Sequence, residues 1–197
     1  MILEEIFLRF RFRKVLTIFF IILIVWGAFS SYKWIGKTLY PIRYKEYIAN
    51  YSKQYDIDPF LVAAIIRVES KFNKDALSHK GAKGLMQIAP VTGKWAAGEL
   101  GIIDYEESLL YNPEINIKIG CWYINRLKSQ FDNNLELILA AYNGGSGNVA
   151  KWLNNNNYSE DGKSLKHIPF KETELYLKKV LKSYDIYRKL YKIDYFI

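Results

Sequence analysis

Asp58-Pro59-Phe60-Leu61-Val62-Ala63-Ala64-Ile65-Ile66-Arg67-Val68-Glu69-Ser70 spells a helix that belongs inside a folded domain. Aspartate is a good helix cap and proline suits the first helical position, so the helix starts at Pro59. Leu61, Ala64, Ile65 and Val68 then form an apolar stripe at three- and four-residue spacings. Glu69 follows Ile65 by four residues, which sets it at the edge of the buried face and near the helix C-terminus. Burial and the negative end of the helix dipole both disfavour a carboxylate anion there, and both raise its pKa. A carboxyl held protonated near neutral pH is a proton donor. An isolated glutamate at a fraying surface helix end is nevertheless the commoner case, so Glu69 gains weight only from its surroundings.

Working outward, helical patterning dominates. The spacing of Tyr44, Tyr47, Ile48 and Tyr51 predicts a helix over 43–55. Further helices are predicted over 92–100, over 113–131 behind the Asn112-Pro113 start, over 135–142, and over 170–191. Asn143-Gly144-Gly145 ends the helix over 135–142, because glycine readily takes the left-handed conformation. Residues 73–83 read as a loop and residues 154–166 as a polar, flexible one. Strand-like alternation is scarce, with room for a small hairpin at most around 76–88. The fold class expected is all-α or nearly so.

The first 32 residues differ from the rest. Arg9, Arg11, Arg13 and Lys14 precede Val15–Tyr32, eighteen residues without a charge. As a helix that stretch reaches about 27 Å, close to a hydrocarbon core about 30 Å thick. Residues 1–14 are expected in the cytoplasm, 15–32 across the membrane, and 33–42 as a tether. A single domain over 43–197 would then lie outside, by the positive-inside rule. Trp26 and Tyr32 suit an interfacial aromatic belt. A cleaved signal peptide is the competing reading, with Ala28-Phe29-Ser30 as its processing site.

The net charge is +8. Residues 1–14 hold four basic and two acidic side chains, net +2, so the remainder keeps +6. A basic exported domain suits an anionic polymer such as the cell wall. No basic stripe with interleaved aromatics points to a nucleic acid. Cys121 is the only cysteine and reads as a small buried hydrophobe, so no intrachain disulfide forms. His79 and His167 give no ligand spacing; neither metal nor cofactor is expected.

Four motifs follow one another after the opening helix. They are Glu69-Ser70, then Gly84-Leu85-Met86-Gln87, then Ala141-Tyr142-Asn143-Gly144-Gly145, and last Ile168-Pro169-Phe170-Lys171-Glu172-Thr173 with Tyr176. In this order and spacing they resemble the family 1 lytic transglycosylases, the Slt-type enzymes that cleave bacterial peptidoglycan on a goose-type-lysozyme-like fold. The resemblance covers residues 43 to 190. One departure is Glu174-Leu175, which stands where arginine is usual.

The resemblance implies a lysozyme-like domain whose catalytic residue is Glu69, acid first and base second. It implies substrate contacts from Ser78, Met86, Gln87, Tyr142, Asn143, Glu172 and Tyr176. Tyr142 would bond Glu69 or the sugar acetamido group, Tyr176 would orient Glu69, Glu172 would bind sugar amides, and Gln87 would bond sugar hydroxyl or acetamido groups. The bland readings stand beside these: Ser78 as a loop serine, Met86 as core, Glu172 as a favourable acid in a first helical turn. Most glycosidases pair two carboxylates. Between Glu69 and Gly98 the only other acid is Asp75. That pattern is similar to a lytic transglycosylase's, and the resemblance implies a non-hydrolytic cut ending in a 1,6-anhydro sugar. A hydrolytic muramidase and a catalytically silent wall-binding module are the alternatives.

Overall fold

The computed structural model describes residues 2–196. It divides into two compact units after Pro41. The first is one helix, α1 (Ile2–Leu39), with the residues that end it. At 1.5 Å per residue it reaches about 57 Å. Its stretch Arg11–Leu39 is long and apolar enough to cross a membrane, and Phe19, Ile22, Ile24 and Trp26 are all exposed within the unit. The helix runs on through Lys33–Leu39, within the stretch read as a tether. No proline falls between Lys33 and Leu39, and the first in the chain is Pro41.

The second unit is helical throughout its regular structure. It holds α2 (Lys45–Gln54), α3 (Pro59–Glu69), α4 (Pro90–Glu99), α5 (Pro113–Gln130), α6 (Leu135–Gly144), α7 (Ser146–Leu153) and α8 (Lys171–Leu190). Two short 3-10 turns, Glu107–Tyr111 and Ile193–Phe196, complete it. Among the described residues there is no strand. Two isolated bridges, Leu77 to Lys83 and Lys83 to Ile88, take the place of the small hairpin.

α3 is the axis of the unit. Every residue from Phe60 to Ile66 is buried, so the apolar stripe read from sequence widens to the full circumference of that stretch, while Arg67, Val68 and Glu69 are only partly covered. α8 packs along it, while α6 packs on α8 and on α5. Asp58 joins two of these helices. One carboxylate oxygen accepts the Phe60 N–H as an N-cap, and the other accepts the Tyr184 hydroxyl of α8 at 2.6 Å.

α7 has no counterpart in the helix pattern read from sequence. Its first turn, Ser146-Gly147-Asn148, carries turn-forming residues that conceal a helix start, and only Val149 and Trp152 are buried on it. Gly144 stays helical and Gly145 takes the left-handed φ of +87°, so two helices meet at a single residue. Residues 154–166, read as a flexible loop, are tied down locally. Asp161 accepts N–H bonds from Lys163 and Ser164, both at 2.8 Å, and the Ser164 hydroxyl at 2.9 Å. Those donors hold its carboxyl down at about 2.

Candidate active site

Glu69 is the last residue of α3. The chain turns back at once through Lys71 and Phe72, both with left-handed φ (53° and 65°). A bulky residue adopts that conformation only when something holds it there. Here the Phe72 ring is buried in the core. The turn therefore ends α3 abruptly and leaves Glu69 half-buried at the helix mouth, with exposed Lys71 beyond.

Removal from water pushes the Glu69 carboxyl up to about 7. The Tyr176 hydroxyl works against that rise, and the negative charge of Glu172 adds to it. Tyr176 comes from the second turn of α8, and its hydroxyl is buried without a partner in hydrogen-bond geometry. It acts on Glu69 as a near neighbour whose bond is not yet closed. Burial and the adjacent Glu69 drive the phenols of Tyr142 and Tyr176 well above their usual range, so both stay neutral hydroxyls.

The Gly84–Ile88 segment is built around Asn116, fully buried on α5. Its side-chain oxygen accepts the Met86 N–H at 2.7 Å, and its NH2 donates to the carbonyls of Lys83 (3.0 Å) and Leu110 (2.7 Å). Gly84 sits so close that a Cβ would lie 2.1 Å from the Leu110 carbonyl and 2.3 Å from Asn116 Nδ2, at a φ of +77°. Only glycine fits there. Gln87 follows with a φ of +48°, and its NH2 donates to the Gly84 and Ala76 carbonyls at 2.9 and 3.1 Å. These two bonds occupy the amide nitrogen, which leaves the amide oxygen as the group for a ligand.

Two expectations change here. The Met86 side chain is 0% exposed and fits against Gly120, where a Cβ would come within 2.3 Å of its sulfur. It supports the loop from beneath and offers no cleft surface. Tyr142 does not bond Glu69 in this structure; its hydroxyl donates to the Met86 carbonyl at 2.8 Å. A hydroxyl has one proton to give, and Met86 takes it. Tyr142 thus ties the last turn of α6 to the Gly84–Ile88 loop.

Ser78 Oγ accepts the Ala82 N–H at 2.9 Å, closing the loop after α3 and keeping its own proton available. Asn143 accepts the Thr173 hydroxyl at 2.9 Å, joining α6 to α8. Asn143, Glu172 and Lys80 line one open cavity of about 500 Å³, and the Lys80 ammonium reaches Glu172 at 3.4 Å. Asp75 is 65% exposed and pairs with Lys74 at 2.8 Å, away from the forces that act on Glu69. Asn116 was not singled out from sequence, and Thr173 appeared only within the last motif, without a role. The signal available was a polar residue on the inward face of each helix.

The sequence model of the Transglycosylase SLT domain matches residues 46–165. The soluble lytic murein transglycosylase of Salmonella typhimurium is 39% identical over 150 residues, covering 75% of this chain and 23% of that protein. The membrane-bound lytic murein transglycosylase C of Sodalis glossinidius is 31% identical over 125 residues, 55% of this chain and 33% of its own length. Among solved structures, the 70 kDa soluble lytic transglycosylase SLT70 of Escherichia coli superposes with a TM-score of 0.69 at 34% identity. It covers 78% of this chain and 25% of its own. The chain thus spans about a quarter of the length of the first soluble relatives it matches.

Proposed function

The chain belongs to the transglycosylase SLT family, and from that premise we propose that it is a membrane-anchored lytic transglycosylase of peptidoglycan. The observation that carries the reading is Glu69: one half-buried carboxyl, raised to about 7, whose nearest charged influence is Glu172. Such a group holds a proton at neutral pH and gives it up without a large penalty. Asp75, the acid that a water-directing role would need, faces solvent beside Lys74.

In this reading Glu69 protonates the glycosidic oxygen as the bond from C1 of N-acetylmuramic acid to that oxygen breaks. The leaving N-acetylglucosamine departs with the proton, and Glu69 is left ionised. The C6 hydroxyl oxygen then bonds to C1, and Glu69 takes its proton, closing the 1,6-anhydro ring and restoring the acid. The two roles alternate, so one carboxyl serves both. Ring closure is intramolecular, and holding the sugar in place supplies much of the rate. Exclusion of water keeps hydrolysis from competing.

Tyr176 closes its open hydrogen bond onto Glu69 when the carboxylate forms. Gln87, through its amide oxygen, receives a sugar hydroxyl or acetamido N–H, and Ser78, Asn143 and Glu172 hold the sugar from the far side. Met86 and Tyr142 act through the loop that carries Gln87. The segment 15–32 anchors the chain, residues 1–14 stay in the cytoplasm, and the domain works outside. A relative described as membrane-bound supports that arrangement.

Glu69→Gln tests the reading. It keeps the shape and removes the proton, and turnover of purified wall should fall at least about a hundredfold with the fold intact. Near-normal lysis by a well-folded Glu69→Gln protein would refute it.

A further inference from the structure

The chain enters the second unit at Ile42, three residues after α1 ends. The last residues described return to that same point. The Tyr191 hydroxyl is bonded to the Ile42 backbone, and the turn Ile193–Phe196 packs on α2. Phe196 also sets its ring against Phe60, in the first turn of α3, at 5.2 Å.

This end of the unit shows an apolar and aromatic surface to solvent. Ile193 is 58% exposed, and Tyr195 and Phe196 are only partly covered. Tyr191, Tyr195 and Phe196 stack edge to face in succession, at 4.8 and 5.5 Å between ring centres. Cations stand around them. The Lys45 ammonium lies 5.2 Å from the Tyr195 ring centre, Lys192 adjoins Ile193, Arg43 follows Ile42, and Arg188 and Lys189 lie in the last turn of α8. Glu46 and Asp194 are the acids among these five cations, so positive charge prevails.

One exposed isoleucine is ordinary on a soluble domain. Isoleucine set among tyrosines and long cations is the composition that suits a lipid headgroup layer, where rings lie with one end apolar and the other wet. Lysine and arginine stems cover apolar surface there while their charges reach lipid phosphates. The length of the connection favours lipid over a free protein partner. Residues 33–41, helical as far as Leu39 and extended beyond, reach about 20 Å. That is less than the breadth of a domain of this size, whose radius of gyration is about 15 Å. A bilayer that holds residues 15–32 therefore stays within reach of the face at Ile42.

We propose that this face of the domain seats on the phospholipid headgroup layer outside the cytoplasm, with Ile193 entering the acyl boundary and the surrounding cations meeting lipid phosphates. The proposal rests on the anchored reading above. It also gives the domain a working orientation. Phe196 rests at the start of α3, and Glu69 closes that helix about 14 Å further along. Docked by this face, the domain holds Glu69 on the side removed from the lipid, where the wall lies.

The test uses the full chain reconstituted in vesicles of phosphatidylcholine and phosphatidylglycerol, some of the lipid carrying bromine on its acyl chains as a quencher. A polarity-sensitive fluorophore is placed at Ile193→Cys and, in a second protein, at Ile103→Cys, which is 85% exposed after α4. Cys121 is fully buried and stays unlabelled, and circular dichroism matching the parent shows that each labelled chain is folded. Brominated lipid should quench the label at 193 several-fold more than the label at 103. Lys189→Glu with Lys192→Glu should abolish that difference while the chain stays in the vesicles. Equal quenching at the two positions would overturn the proposal, and so would quenching at 193 that survives the double charge reversal. If alkaline carbonate strips the parent chain from the vesicles, the anchored reading itself fails and takes this one with it.

Discussion

At the scale of the residue, the account rests on how one carboxyl is tuned. Burial raises Glu69, Glu172 adds to the rise and Tyr176 restrains it. The protonated form is the one that starts the reaction, so kcat/KM should fall as pH rises through about 7. Tyr176→Phe removes the restraint and should move that fall to higher pH, besides slowing turnover. Glu172→Gln removes a repelling charge and should move it lower. Shifts in the same direction for both variants would contradict the assignment of these neighbours. Stability follows by linkage. A carboxyl whose folded pKa exceeds its unfolded value binds protons more tightly when folded. Stability is therefore highest below the unfolded pKa and declines as pH climbs toward the folded one. Glu69→Gln should raise the melting temperature at pH 8 and change it little at pH 4.

At the scale of the element, the loop between Gly84 and Ile88 is the part of the site with the least tolerance. Asn116 satisfies three backbone groups from a fully buried position. Asn116→Ala leaves them without partners in the core, and a loss of about 2–4 kcal/mol is expected from chemical denaturation. A loss under ~1 kcal/mol would show that the loop is held elsewhere. This element also marks where sequence reading stopped. α3 and α5 announce themselves through their caps and α8 through its long apolar period, and Glu69 sits at the end of α3, the clearest of them. The partners of Tyr142 and the burial of Met86 depend on how α5 and α6 cross, which no local pattern carries. Gln87 was legible as a polar residue in an apolar run, whereas the two carbonyls that orient its amide were not. α7 escaped because Gly147 and Asn148 occupy its first turn, directly behind Gly145 at its N-cap.

At the scale of the whole molecule, a basic cluster and one long apolar helix stand before the SLT domain. The proposed anchor predicts that the full chain remains in the membrane fraction and that externally added protease digests its SLT domain. A mature protein beginning near Ser31 and released to the medium would favour the cleaved signal instead. The domain's sugar chemistry is the central claim, and the end group left on muramic acid tests it most directly. Purified wall digested by the full chain should yield fragments ending in 1,6-anhydro-N-acetylmuramic acid. These are one water lighter than hydrolytic products, and their mass is unchanged by borohydride. Fragments that end mainly in reducible N-acetylmuramic acid would contradict the account and make the enzyme a muramidase.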